Sequence, residues 1–203
     1  MNSLNNKKTQ TTTLTQRKNN MIITITGKPC SGKGTVSKIF CKKFNFQYMC
    51  TGDMFRELAK SYGYDDVLEF QKDEVCKNAD KIVDNKTTEL GKTSINKNIV
   101  VDSRLAWHFI PASYKVFIDI DWQTAGQRLL DANRANEQAK DLDSAIKKLQ
   151  NRWQEENERY LELYNTNNLN LNNYNLVISS QNKTPEDIAD LIYNNYQNYM
   201  QKN

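Results

Sequence analysis

Histidine is almost missing from this 203-residue chain; the single one is His108. That excludes a mechanism built on a histidine pair and a zinc site built on histidines. Lying beside Trp107 and an apolar stretch, His108 reads as a structural residue. The four cysteines, Cys30, Cys41, Cys50 and Cys76, form no C-x-x-C pair and no metal-ligand spacing, so they read as reduced thiols of a cytoplasmic protein. No apolar run approaches the roughly 20 residues of a membrane span. The first twenty residues have no apolar stretch of the kind a secretory signal needs. They are polar and without helical period, and are expected to be a disordered tail. A strong charge of one sign is also lacking: 28 basic residues face 24 acidic ones, for a net +4, and the charges are not blocked along the chain. That speaks against nucleic acid as a partner, while a small polyanion suffices to explain the balance. There is no repeat and no Gly/Ser/Pro-rich linker, so residues 21–203 read as one domain, a monomer with no membrane partner.

What is present is a series of short apolar runs. MIITIT (21–26), FQYM (46–49), NIVV (98–101), YKVFIDI (114–120) and NLVIS (175–179) read as five strands. Helical spacing separates them, over 33–44, 53–62, 66–91 and 123–164, the last with a break near 135–143. After the fifth strand, Thr184-Pro185-Glu186-Asp187 has the form of an N-cap, a proline at the first helical position and an acidic first turn. Ile188, Leu191, Ile192 and Tyr196 follow as one apolar face, and Val75, Ile82 and Leu90 are expected to anchor the 66–91 segment. Buried strands alternating with helices predict an α/β fold with a five-stranded parallel sheet covered on both faces. Such sheets bind ligands beyond the carboxyl ends of their strands. The chemical residues are therefore expected just after positions 26, 49, 101, 119 and 179.

The first strand runs directly into Gly27-Lys28-Pro29-Cys30-Ser31-Gly32-Lys33-Gly34-Thr35. Strand, glycine loop and helix in that order form a phosphate-binding loop of the G-x-x-x-x-G-K type. Gly27 and Gly32 let the backbone turn tightly enough to aim successive N–H groups inward, the helix N-terminus adds positive potential, and Lys33 brings a mobile cation to the outer phosphates. The position after that lysine usually carries a magnesium-binding hydroxyl. Here it is Gly34, and the hydroxyl comes one residue later at Thr35.

The ending Gly-Lys-Gly-Thr resembles that of nucleoside monophosphate kinases, and the next strand leads into CTGDMFREL (50–58), which resembles the acceptor motif of the same enzymes. The third strand ends in VVDSRLAW (100–107), and RWQEENERY (152–160) is similar to the arginine helix that follows the lid of cytidylate kinases. Nearly all of residues 21–192 resembles the compact archaeal-type branch of the cytidylate kinase family. The resemblance implies a three-layer P-loop NTPase fold with a short helical lid at about 128–152 and acceptor-binding helices at about 53–92. It further implies ATP held by residues 27–35, with Mg²⁺ served by Thr35 and Asp102 through water. Asp53, Arg56 and Arg104 would hold the acceptor phosphate, and Lys33, Arg128, Arg152 and Arg159 would neutralise the transferring group. Arg134 is a weaker member of that set. Asp53, Asp84 and Ser103 are candidates for ribose or base contacts by position.

The implied reaction is phosphoryl transfer from ATP to CMP or dCMP. Its acceptor is already an anionic phosphate oxygen, so no side chain has to remove a proton, and catalysis reduces to alignment and charge cancellation. AMP and UMP kinases are rivals. The text DSRLAW differs from the DGFPRT usual in adenylate kinases, which speaks against AMP. A GTP-dependent switch lacks its guanine signature, because NKTT (85–88) and NKTP (182–185) have no aspartate. A nucleotide-binding regulatory module is the remaining alternative.

Overall fold

A computed structural model describes residues 21–65, 67–70, 73, 75–93, 97–132 and 139–202. The expected tail at 1–20, residue Arg134 and part of the expected lid lie outside them. The strands are β1 (Met21–Gly27), β2 (Gln47–Cys50), β3 (Asn98–Asp102), β4 (Tyr114–Asp119) and β5 (Leu176–Ser179). They form a single parallel sheet in the order β2-β3-β1-β4-β5. The helices are α1 (Lys33–Phe44), α2 (Thr51–Ser61), α3 (Val67–Phe70), α4 (Cys76–Thr93), α5 (Ala106–Phe109), α6 (Trp122–Asp131), α7 (Leu142–Tyr164) and α8 (Pro185–Lys202). This is the predicted α/β architecture, a five-stranded parallel sheet between helical layers. Among the described residues no helix is long and apolar enough to cross a membrane.

Both faces of the sheet are buried, as the unbroken apolar runs of its strands require. On one face Ile23, Ile25, Val116 and Ile118 pack with Val36 and Phe40 of α1 and Ile188, Ile192 and Tyr196 of α8. On the other, Ile99 and Val101 meet Ala106 and Ile110 around α5. Thr24 and Thr26 point to interior positions with no exposure. Their hydroxyls are satisfied there, Thr24 Oγ1 pairing with Ser113 Oγ at 3.1 Å and Thr26 Oγ1 donating to Ser103 O at 2.6 Å. Two further clusters fasten the long helix: Ile120, Ala125 and Leu129 against Ala145 and Leu149, and Phe117 and Trp107 against Trp153 and Tyr174.

Local chemistry sets the helix ends. Thr184 Oγ1 accepts the Asp187 N–H at 3.1 Å with Pro185 as the first helical residue, the predicted start of α8. A capping box between Asp141 and Ser144 opens α7, and Asn165, with φ 49°, closes it.

Several details depart from the sequence pattern. The 66–91 segment is two helices, and the seam that α4 buries is Cys76, Ala79, Val83 and Thr87. Val75, Ile82 and Leu90 are only half-buried, because the helix is rotated by about one residue to bring Ala79 against Ala59 and Phe70. On α8, Leu191 is exposed and Ala189 takes its place in the buried face beside α1. The 123–164 segment is two helices, α6 and α7, in keeping with the expected break near 135–143, and their contact includes the buried Gly126. A Cβ there would lie 2.8 Å from Ile146 Cγ1.

Candidate active site

The sheet order puts β1 and β3 side by side, so everything that leaves their carboxyl ends converges. The loop after β1 hugs the sheet: a Cβ on Gly27 would lie 2.3 Å from the carbonyl oxygen of Ile118. Gly32 has φ +84° and serves as the N-cap of α1, and Cys30 is also left-handed at φ 60°. Lys28 turns away from the loop, pairing with Asp119 at 2.7 Å and donating to Ile120 O at 3.2 Å. Two of the loop's cationic side chains thus diverge, and Lys33 alone of the two points toward β3.

There Lys33 Nζ lies 3.1 Å from Asp102 Oδ1, on a carboxylate that is 3 % exposed. Burial and the nearby Arg104 guanidinium push the Lys33 ammonium below the ordinary lysine value, and Asp102 pulls it back up. The second carboxylate oxygen accepts from the Tyr48 hydroxyl at 3.2 Å. Gly34 explains itself in this setting: a Cβ at that position would come within 3.3 Å of Asp102 Oδ2. The missing side chain leaves the carboxylate open to the first turn of α1, where Thr35 is exposed.

Arg104, two residues beyond Asp102, is held on every side. Its guanidinium donates to Gly27 O, pairs through Nε with Glu156 Oε2 at 2.8 Å and lies 5.3 Å from the centroid of Trp153. Its backbone oxygen accepts from Asn168 Nδ2 at 3.2 Å, and Asn168 Oδ1 in turn accepts from Trp107 Nε1 at 2.9 Å. Burial opposes ionisation of Glu156, but Arg104, Arg152 and Lys33 together hold its carboxyl below the usual range. Arg152 reaches the same carboxylate at 3.0 Å.

One cleft of about 630 Å³ runs from the phosphate loop past Asp102 to α4 and the end of α7. Lys33, Arg56, Arg104, Arg152 and Arg159 all line it, together with Asp53, Thr35 and Asp102. Arg56 pairs with Asp53 across one turn of α2, which holds the Asp53 carboxyl below its ordinary value. Arg159 lies 3.5 Å from Asp80 on α4. Five cations thus converge on one rim, each beside a carboxylate for which a phosphate oxygen could substitute.

Arg128 is not in this group. It sits behind the loop, donating to Cys30 O at 3.2 Å and to Ser180 O at 3.3 Å, and so ties the loop to the end of β5. Ser103 Oγ is occupied as an acceptor for the N–H groups of Leu105 and Ala106, both at 3.2 Å. His108 packs on Tyr164 and shares a 3.1 Å hydrogen bond with Thr166. Glu156, Tyr48, Asp80 and Tyr164 are cleft residues that sequence reasoning does not single out. Only Glu156 carries a signal, lying between two arginines on the same helix.

A magnesium ion suits the donors present. Asp102 offers a buried carboxylate whose Oδ1 has, among the described residues, no hydrogen-bond donor besides the Lys33 ammonium, and Thr35 offers a hydroxyl on the same cleft. These are hard oxygens in the small number that Mg²⁺ takes when phosphates and water complete its shell.

Comparison with known proteins follows the same lines. Residues 23–148 match a family model described as an AAA domain. A cytidylate kinase of Methanococcus aeolicus is 34% identical over 174 residues, covering 85% of this chain and 95% of that protein. A cytidylate kinase of Methanocaldococcus jannaschii is 33% identical over 174 residues, with the same coverage. An S-adenosylmethionine-dependent nucleotide dehydratase of Lacinutrix mariniflava is 34% identical over 178 residues, 86% of this chain, which spans only 36% of that protein's length. Among solved structures, shikimate kinase from Bacteroides thetaiotaomicron superposes with a TM-score of 0.61 at 16% identity, over 87% of this chain and 98% of that one. That likeness is one of fold.

Proposed function

The chain belongs to the cytidylate kinase family of P-loop nucleoside monophosphate kinases, and on that premise we propose that it transfers the γ-phosphoryl group of ATP to CMP or dCMP, yielding ADP and CDP or dCDP. The observation that carries the proposal is the convergence of Lys33, Arg56, Arg104, Arg152 and Arg159 on one cleft at the carboxyl ends of the strands.

In this reading the loop 27–35 cradles the phosphates of ATP through its backbone N–H groups, and Lys33 leaves Asp102 for the outer phosphates. Thr35 and Asp102 would hold Mg²⁺, through water, and the bound ion would supply neutralisation of charge on the ATP phosphates. Arg56 and Arg104 grip the acceptor phosphate. Arg152 and Arg159, two turns apart on α7, face the gap between donor and acceptor. The acceptor oxygen needs no general base, so the work of the site is to hold two anions in line and cancel their repulsion. Arg128 acts from behind, fixing the Cys30 carbonyl and with it the shape of the loop. The α2–α4 arm carries the acceptor, and the lid is the expected one at about 128–152, of which residues 133–138 lie outside the described residues.

The test is ADP formation from ATP–Mg²⁺ with CMP, dCMP, UMP and AMP in parallel. The proposal expects CMP or dCMP to have the highest kcat/KM. A preference for UMP or AMP corrects the acceptor, and nucleotide binding without transfer to any of the four rejects the kinase reading in favour of a regulatory module.

A further inference from the structure

The phosphate groups account for only one end of the cleft. Its other end, toward α4 and the last turns of α7, has a different character. Its walls are Phe55, Val83, Leu105 and Phe109, flat or apolar surfaces from three separate elements. Phe109 meets Tyr164 edge to face, with centroids 5.3 Å apart at 87°. The polar groups at this end are few. Thr87 is spent on its own helix, donating to Val83 O at 2.8 Å, and is 1 % exposed. Asp80 faces Arg159 and therefore the phosphate side. Asp84 stands one turn farther along α4, and the Tyr164 hydroxyl donates to its Oδ2. Among the described residues Asp84 has no ion pair. Burial, with the neighbouring Asp80 carboxylate, raises its carboxyl pKa above the ordinary value, partly offset by the Tyr164 hydrogen bond and the more distant Arg159. A partly buried carboxylate with no cation at ion-pair distance among the described residues, in a cleft with planar walls, has acceptor capacity in reserve.

The geometry points to Asp84 and Tyr164 as the pair that reads the nucleobase of the acceptor, selecting an amino base over a keto base. The inference rests on the kinase reading above and goes beyond it to the residues that set the substrate. An amino base such as cytosine presents an exocyclic N–H donor beside a ring-nitrogen acceptor. Asp84 matches the donor, and the Tyr164 hydroxyl, turning from Asp84, donates to the ring nitrogen. Uracil presents the reverse, a carbonyl oxygen beside a ring N–H. It would set an oxygen against the carboxylate and leave the tyrosine proton facing a donor. Adenine shares cytosine's pattern, so this pair separates amino from keto bases and leaves ring size to the walls. Hydrogen-bonding sites of this kind discriminate strongly because the wrong partner strands buried polar groups.

The experiment measures initial rates of the full chain with ATP–Mg²⁺ and CMP, AMP, UMP or GMP, for the wild type, Asp84→Asn and Tyr164→Phe. The wild type should favour its amino-base substrate over UMP and GMP by about 100-fold or more in kcat/KM. Asp84→Asn, whose amide can turn its NH₂ toward a carbonyl, should lose about 100-fold with CMP, gain with UMP and keep its KM for ATP. Tyr164→Phe should raise the KM for CMP about tenfold with no gain for UMP. Equal losses for every acceptor in Asp84→Asn, with an unchanged ratio of CMP to UMP, would assign Asp84 a structural role and overturn the inference while the kinase reading stands. A wild type that phosphorylates keto bases as well as amino bases also overturns it. A wild type that phosphorylates no nucleoside monophosphate removes the kinase reading first.

Discussion

The two ends of the cleft are built by different means. The phosphate end is made largely of backbone: a loop pinned to the carbonyl of Ile118, a glycine at φ +84° and the first turn of α1, all on the central strand of the sheet. The acceptor end is made of side chains on α2, α4, α5 and α7. A backbone site has one shape and tolerates almost no added atom. A side-chain site is adjustable, and its identity lies in which polar groups three or four helices bring together. The same fold can therefore keep its donor and change its acceptor.

Substitutions can break or sharpen that contrast. The largest effect is expected at Lys33. Lys33→Ala should lower kcat by about 10³-fold, or near 4 kcal/mol of transition-state stabilisation, as read by ADP formation. A near-normal rate would exclude Lys33 from phosphate binding. Gly27→Ala should cost about 3 kcal/mol or more of stability in denaturant unfolding. Its Cβ would be driven to 2.3 Å from a backbone oxygen in the middle of the sheet, where nothing flexible can give way.

Arg104→Ala should cost about 2 kcal/mol, because it leaves Glu156 with Arg152 in place of two arginines and removes the guanidinium from the face of Trp153, and should raise the KM for the acceptor more than that for ATP. Glu156→Gln addresses the same pair through pH. Burial opposes the charge on Glu156, but its arginines hold the folded-state pKa below the unfolded value. The stability it contributes is therefore complete above the ordinary carboxylate range and is lost as pH falls through the folded value. The wild-type thermal midpoint should drop more steeply than that of the variant from about pH 5 down to pH 3. A parallel pair of curves would show that the carboxylate is not held by the arginines.

The smallest effect belongs to the acceptor end. A Cβ on Gly52 would meet the tip of Arg56 at 3.5 Å and Cys50 Sγ at 3.7 Å, both ordinary van der Waals contacts. Gly52→Ala, in the first turn of α2, should leave stability unchanged or raise it by about 0.5 kcal/mol through helix propensity. A loss as large as that of Gly27→Ala would erase the distinction between the two ends.

How much of this was legible in the chain follows the same division. The loop 27–35 could be read directly, because its chemistry is local: a strand, a glycine spacing and a helix start lie in fifteen consecutive residues. The pairing of Asp102 with Lys33 was half legible. An acidic residue ending an apolar strand has a recognisable place, but its partner depends on β3 lying beside β1. Arg128 shows the limit most clearly. It has the residue type and the spacing of a cleft arginine, yet the turn of α6 directs it to Cys30 and Ser180 behind the loop. The rotation of α4 is a second case. Val75, Ile82 and Leu90 are the larger apolar residues, but Ala79 permits the closer approach to Ala59, and packing decided the face.

By itself the sequence determined the five buried strands, the phosphate loop and the helix starts, since each rests on neighbours within a few residues: hydrophobic period, glycine freedom and capping side chains. Only the tertiary structure decided which arginines face the cleft, which carboxylates they pair with and which groups are left to read a base. Those outcomes depend on the relative rotation and seating of separate helices, and that is settled by the fit of side chains far apart in the chain.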